Sequence, residues 1–420
     1  MKLDTDPYKG VRDFYPEDKA LQQALFATIR GVLSRAGYQE YDASPLERAE
    51  LYKTKTSEEI VNEQTYTFAD RGDREVTLRP EMTPTLARMV ARRRRELPLP
   101  IRWYSIGNRF RYERPQKGRG REFYQVDVDL LGAPEGEADL EIISMARNLL
   151  RAFSVGDEAY TIRINNRALL DRACEAAGVS DDDKKAYLHL LDRKAKMDKG
   201  EYEAQFENIF NGMADPLADL ENNTNEEVQK EFKKTQEFIK NLKLRGVENA
   251  VYDPTLIRGF DYYTGFVFEF FDTDPENQKA FLGGGRYDNL LNLFSNDEMP
   301  AIGFALSDMR LIDFLEAHEL LPDTLTTPDL YIATVQESNI EPAQKYAEEL
   351  RNEGLSVIVN ILDRKLDKQI KDAEKRGIQN LVVFGEDEAE GSLITLKNIS
   401  TGEEVETKKE NLIDLLYEEL

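Results

Sequence analysis

The sequence predicts an α+β protein of two domains, the first interrupted by a helical insertion. Three observations carry this. Apolar–polar alternation with period two runs through two stretches between 101 and 131, flanking a Pro/Gly-rich loop. A charged, helix-forming block fills 168–250, and strands alternate with helices from 328 onward. At 420 residues, the chain is two to three times a typical single domain. The expected domains are 1–325, with 168–250 as the insertion, and 328–420, joined by the Pro- and Thr-rich stretch 322–328.

Each element has its own signal. Residues 17–36 carry Leu21, Leu25, Ile29 and Val32 at helical spacing, and Gly37 follows as a stop. In NRFRYE, Arg109, Arg111 and Glu113 alternate with Phe110 and Tyr112; in FYQVDVDLL, Gln125, Asp127 and Asp129 alternate with Tyr124, Val126, Val128 and Leu130. The intervening RPQKGRG suits a hairpin loop. Pairing of these runs is expected to set three charged side chains of one strand beside three polar ones of the next, on one sheet face. Strand chemistry resumes over 251–311 with RGFDYYTGFVFEFF, LGGGRYDNLL and PAIGFALSDMRL. The last 90 residues read strand LYIATV, helix EPAQKYAEELRNEG, strand LSVIVNI, helix RKLDKQIKDAEKRG, strand NLVVFG.

Composition excludes several function classes. Hydrophobic residues at 40% supply ample core, so global disorder is ruled out. No run of 18 apolar residues exists and the start lacks an apolar stretch, which argues against a membrane span or a secretory signal and for a cytoplasmic protein. Cys174 stands alone, and His189 and His318 are too few and too far apart for a His-ligated zinc site. No phosphate-cradling P-loop or GxGxxG is present. Gly283-Gly284-Gly285 by itself reads equally well as a tight turn.

The net charge of −24 argues at face value against a polyphosphate partner. Its distribution argues the reverse. Between Arg88 and Arg121 stand twelve Lys/Arg and two acids (Glu96, Glu113), a local +10 that leaves −34 for the rest. Such a window is solvated surface or a site for anions, and its density in an acidic chain favours the anion site. With no nucleophilic triad available, what remains is arginine, carboxylate and tyrosine chemistry. That kit suits nucleotide phosphoryl chemistry run by positioning and charge stabilisation.

LRPEMTP (78–84), FRYERPQKGRGREFYQVDVD (110–129), RGFDYYTG (258–265), LGGGRYD (282–288) and GFALSDMR (303–310) resemble, in order, the signatures of the histidyl-tRNA synthetase family. The resemblance spans essentially the whole chain, from GVRDFYP (10–16) to the terminal α/β domain. It implies a class II antiparallel-sheet catalytic domain over 1–325 and an anticodon-binding domain over 328–420. It also implies ATP with Mg²⁺ (no metal held directly by the protein), L-histidine and tRNA(His) as partners, and a homodimer formed around Pro45.

The family's roles carry over by position. Arg111 and Arg258 become the catalytic arginines, on the α-phosphate and the substrate carboxylate. Glu81, Met82, Thr83, Gln125, Asp129, Tyr262, Tyr263 and Tyr287 would join them around histidine, with Asp129 accepting the imidazole N–H. Glu113, Arg119 and Arg310 would join Arg111 on ATP, and Arg114, Gln116 and Lys117 would meet the tRNA acceptor end. Other readings stand beside these: a surface ion pair for Arg111, a helix surface for Arg310, a helix N-cap for Thr83, core packing for the tyrosines, a mobile loop for 114–117. Asp127 reads either as a pocket residue or as one behind it. Ser307 and Met309 depart from the family, which has Gly and an acidic residue there. The competing function is that of the histidine-binding regulatory subunit of ATP phosphoribosyltransferase. That paralogue lacks the terminal domain and usually the arginine found here at position 258.

Overall fold

Helix α1 (Pro16–Arg35) begins on a proline, whose fixed φ suits the first helical position, and ends ahead of Gly37 at φ +80°. Its buried face comprises Gln22, Leu25, Phe26, Ile29 and Leu33, while Leu21 and Val32 are only partly buried. The computed structural model describes residues 3–53, 64–194, 197–257, 262–277, 279–294, 298–324 and 327–418. The chain divides into two units, Met1–Asp323 and Thr324–Leu420.

In the first unit, strands β1 (Gln39–Glu40), β2 (Leu46–Arg48), β3 (Tyr66–Ala69) and β4 (Glu75–Leu78) follow α1. Of these, β2, β4 and β3 make a small antiparallel sheet. Helix α2 (Thr83–Arg93) leads to the hairpin of β5 (Ile101–Phe110) and β6 (Glu122–Leu131). After α3 (Glu137–Ala152) and β7 (Tyr160–Asn166) come four helices: α4 (Arg167–Ala176), α5 (Asp181–Arg193), α6 (Lys199–Phe210) and α7 (Glu226–Leu244). Asn166, Ser180, Asp198 and Asn225 cap them in turn through their side-chain oxygens. The unit closes with β8 (Ala250–Tyr252), β9 (Phe266–Asp272), β10 (Ala280–Arg286), β11 (Ala301–Ser307) and α8 (Asp308–Ala317).

Eight strands form one sheet in the order β1-β5-β6-β11-β10-β9-β7-β8, antiparallel except for the outer pairs β1/β5 and β7/β8. Period two divides its faces. Val126, Val128 and Leu130 of β6 point into the main core, where Ile29 of α1, Ile143 and Leu149 of α3, Leu242 of α7 and Phe314 of α8 cover the sheet. The opposite face is left to Gln125, Asp127 and Asp129. Gly283–Gly285 lies inside β10 rather than in a turn, because close packing there tolerates no side chain: a methyl on Gly284 would meet Gly303 O at 2.1 Å.

The second unit is a five-stranded mixed sheet, β13-β12-β14-β15-β16, built from β12 (Leu330–Thr334), β13 (Val357–Val359), β14 (Asn380–Phe384), β15 (Leu393–Asn398) and β16 (Glu404–Lys408). Its parallel pairs β12/β13 and β12/β14 are bridged by α9 (Ile340–Asn352) and α10 (Leu366–Lys375), and α11 (Leu412–Glu418) closes it. Ala343, Tyr346, Ala347 and Leu350 of α9 are buried, following their helical spacing. The antiparallel β15/β16 hairpin was not anticipated from the strand–helix alternation. Among the described residues no helix is long and apolar enough to cross a membrane.

Candidate active site

The polar face of β6 floors an open cleft of about 1130 Å³. Strand register fixes what stands there: Gln125 pairs with Gly107, Asp127 with Ser105 and Asp129 with Trp103. The expected row of opposing charges is therefore corrected. Strand β5 ends at Phe110, and although the Arg111 amide still donates to the Arg121 carbonyl at 2.9 Å, of the three charged side chains only Arg109 reaches, diagonally, to Asp127.

That contact is a floor rather than a ligand site. Arg109 is fully buried and donates to Asp127 Oδ2 at 2.6 Å, to Ser105 Oγ at 3.0 Å and to the Asn108 carbonyl. Gln125 donates to the other oxygen of Asp127, also at 2.6 Å. Asp127 thus lines the cleft with both oxygens engaged. Elsewhere in the basic window Arg88 pairs with Glu47, Arg93 with Glu96 and Arg102 with Glu141. The anion-binding charge of that window is accordingly smaller than its sum.

Two residues along β6, Asp129 lies in a different environment. Its side chain is packed where a methyl on Gly303 of β11 would come within 2.1 Å of Oδ1, so only glycine leaves it room. Tyr287 donates to Oδ1 at 2.5 Å. Burial and the neighbouring Asp127 push the Asp129 carboxyl up to about 8, although the Tyr287 bond and Arg109 pull the other way. Tyr262 donates to Glu81 Oε2 at 3.1 Å, and its ring lies 4.9 Å from Tyr263 and 5.9 Å from Tyr287. Glu81, Gln125, Asp129, Tyr262 and Tyr287 are all buried, which makes this end of the cleft aromatic and carboxylic.

Tyr287 is held from behind. Arg286, 1% exposed, forks onto both oxygens of Asp139 at the start of α3 and donates to Asp288 at 2.9 Å. Breaking such a buried pair leaves an uncompensated charge, so these contacts hold the segment carrying Tyr287 in place.

The other end is cationic and more open. Arg111 rests over the Phe123 ring at 5.3 Å and donates Nε to the Pro80 carbonyl; its terminal nitrogens make no hydrogen bond among the described residues. Arg119, half exposed, stands 3.7 Å from Glu113. Half-buried Arg310 on α8 has no hydrogen bond or close ion pair among the described residues. Burial and nearby Arg119 hold its guanidinium below the usual arginine range. Arg111, Glu113, Arg119 and Arg310 line the same cleft as Glu81, Thr83, Asp129 and the three tyrosines.

Several expectations fall elsewhere. Met82 does not line the cleft: its side chain is fully buried and its sulfur accepts from Arg79 at 3.7 Å. Thr83 is the first residue of α2 rather than its N-cap, which is Met82. Arg114, Gln116 and Lys117 project from the exposed hairpin loop, outside the cleft lining. Arg258 lies outside the described residues. What the sequence did not reveal is the anchor under α8. Buried Asp308 accepts from Arg12 at 2.8 Å, from Gln22 at 3.2 Å and from the Tyr124 amide at 3.1 Å, tying Arg12 and α1 to the helix bearing Arg310.

A histidyl-tRNA synthetase family model matches residues 10–311, and an anticodon-binding-domain model matches 329–419. The histidine–tRNA ligase of Leptospira biflexa is 41% identical over 434 aligned positions, covering 100% of this chain and 99% of the relative. The chain belongs to the histidyl-tRNA synthetase family. The crystal structure of histidyl-tRNA synthetase from Nostoc sp. PCC 7120 has a TM-score of 0.77 at 25% identity, covering 99% of this chain and 100% of its own. An ATP phosphoribosyltransferase regulatory subunit/histidyl-tRNA synthetase from Bacillus halodurans C has a TM-score of 0.74 at 21% identity, covering 92% and 99%. That likeness speaks to the fold alone.

Proposed function

We propose that this histidyl-tRNA synthetase family member activates L-histidine with ATP and transfers it to tRNA(His), using the two ends of one cleft. The observation that carries the reading is their placement. A buried set of Glu81, Asp129, Tyr262 and Tyr287 lines one cavity together with the cations Arg111, Arg119 and Arg310. The first set fits an imidazole and an ammonium; the second fits a triphosphate.

In the first step the histidine carboxylate attacks the α-phosphorus and pyrophosphate leaves. Arg111 carries the developing charge through its unengaged terminal nitrogens, and by family resemblance Arg258 joins it. Glu81 faces the ammonium, while Asp129, oriented by Tyr287, accepts or shares the imidazole proton. An analogue lacking the ring nitrogens leaves Asp129 without the partner that the imidazole would supply beside Tyr287, which is a strong basis for rejection. Glu113 and Glu269 line the same cleft as the cations, and a magnesium ion brought in with ATP would offset phosphate charge there. In the second step the terminal ribose hydroxyl of tRNA attacks the adenylate carbonyl, the acyl–phosphate bond breaks and AMP leaves, with Arg114, Gln116 and Lys117 meeting the acceptor end. Residues 1–325 act as the catalytic domain and 328–420 as the anticodon-binding domain. The working form is a cytoplasmic homodimer formed around Pro45.

Histidine-dependent exchange of pyrophosphate into ATP tests the reading. The purified chain is expected to catalyse it, and Arg258→Ala nearly to abolish it. Histidine binding without exchange would move the function to that of a histidine-binding regulatory subunit. Light scattering at micromolar concentration is expected to give twice the chain mass, and a monomer refutes the dimer.

A further inference from the structure

The loop tip between β5 and β6 is seated on helix α8. Gln116 and Arg119 bridge through their backbones, and between them Gly118 is buried at φ +69°. A methyl on Gly118 would lie 2.4 Å from Asp313 Oδ2 and 3.0 Å from Arg310 Nη1, so a carboxylate and a guanidinium from one helix face flank the same glycine. Residues three apart on a helix share a face, which places Asp313 beside the arginine of the cationic end. Burial holds the Asp313 carboxyl above the usual carboxylate range, Glu316 adds to that, and Lys117, Arg310 and Lys279 pull it back down. Yet Asp313 forms no hydrogen bond or close ion pair among the described residues. It sits within a cation cluster without being locked to any member.

We propose that Asp313 is the internal counter-anion of the triphosphate end. It seats the 116–119 loop over Arg310, and the outer phosphates of ATP take over Arg310 when it arrives. The inference rests on the assignment of Arg310 to ATP. Asp313 is then a positioning residue with a defined sign: its charge opposes ATP and pyrophosphate binding and favours pyrophosphate departure. A contact locked at hydrogen-bond distance would resist such exchange; a loose one permits it. Half-burial keeps the carboxylate's field from being fully screened by water.

The test is pyrophosphate exchange by the full chain carrying Asp313→Asn, with ATP, pyrophosphate and histidine varied separately. The expected result is a KM for ATP lowered about three- to tenfold, the order of removing one like charge from a partly screened site. The KM for pyrophosphate falls with it and the KM for histidine stays unchanged. Asp313→Glu, which keeps the charge, is expected to stay near the parent values. Asp313→Ser repeats the test with a smaller neutral side chain, and melting temperatures report the folding of each variant. A KM for ATP that stays put or rises in the neutral variants overturns the proposal, since a merely structural seat would loosen the loop and weaken nucleotide binding. Absence of exchange in the parent chain overturns the assigned activity instead, so the two failures are distinct.

Discussion

The two ends of the cleft solve opposite problems. The imidazole end is dry: Asp129, Gln125 and Glu81 are less than a tenth exposed, and a tyrosine hydroxyl is bonded to each of the two acids Asp129 and Glu81. The triphosphate end is wetter, and Arg111, Arg119 and Arg310 keep donors unengaged among the described residues. Burial fixes geometry and raises the cost of an unmatched ligand; exposure lets charges move to meet a flexible polyphosphate. Arg109 and Arg111 reduce that contrast to two positions on one strand end. The first is fully buried, paired with Asp127, and belongs to the architecture. The second is half-buried and lines the cleft, where the proposed function gives it a part in the chemistry.

Exchanging the roles of these two arginines is the hardest test of the contrast. Arg111→Ala is expected to lower kcat/KM in pyrophosphate exchange by about 10³-fold or more, the scale of losing a preorganised donor to a transition-state oxyanion. Its unfolding free energy should stay within about 1 kcal/mol of the parent. Arg109→Ala should do the reverse in kind. It leaves Asp127 buried without its cation and costs about 3–5 kcal/mol in chemical denaturation. If Arg109→Ala folds with parental stability, the division between floor and ligand site is wrong.

A smaller effect separates the ends by substrate. Tyr287→Phe removes the donor to Asp129 Oδ1 while keeping the ring. It is expected to raise the KM for histidine about tenfold, in line with losing one hydrogen bond to a buried carboxyl, and to leave the KM for ATP unchanged. Arg310→Ala should show the complementary pattern, raising the KM for ATP by a similar factor without touching histidine. Equal shifts in both constants for either variant would mean the ends are not independent.

Much of this was legible in the sequence, and the reason is periodicity. The FYQVDVDLL alternation put Gln125, Asp127 and Asp129 on one face before any coordinates, and the strand–helix alternation after 328 anticipated the parallel part of the second sheet. What periodicity could not give is which partner each side chain takes. Arg109 and Arg111 share a face by spacing, but Arg109 is buried against Asp127 while Arg111 lies over Phe123 and bonds the Pro80 carbonyl. Nor does local pattern announce partners distant in sequence: Asp308 and Arg12 are 296 positions apart, and the mate of Arg286, Asp139, is 147 away. Met82 was misplaced for a related reason. Its neighbours Glu81 and Thr83 line the cleft, but at the turn into α2 alternate residues point inward, and the Met side chain is the one that packs under Arg79.

The finest distinction between the ends is in protons. The Asp129 carboxyl, pushed up to about 8 by burial, keeps its proton below that pH and loses it above. A free imidazole titrates near 6.5, and the pair formed on binding holds one proton between carboxyl and ring. From about pH 6.5 to 8 the enzyme brings that proton, the ring brings none, and binding exchanges nothing with solvent. Below 6.5 the ring brings a second proton that must leave, so affinity falls with decreasing pH. Above 8 neither partner carries one, a proton must be taken up, and affinity falls again, approaching tenfold per pH unit. The KM for histidine is therefore expected to be flat between those limits and to rise on both sides, by only about threefold at pH 8.5. Asp129→Asn cannot titrate, so its alkaline rise should vanish while its acid rise persists. Loss of a proton from the histidine amino group affects parent and variant alike and cancels in their ratio. If that ratio does not change between pH 7 and 9, Asp129 is already ionised in the empty site, and the dry end is wetter than its burial implies.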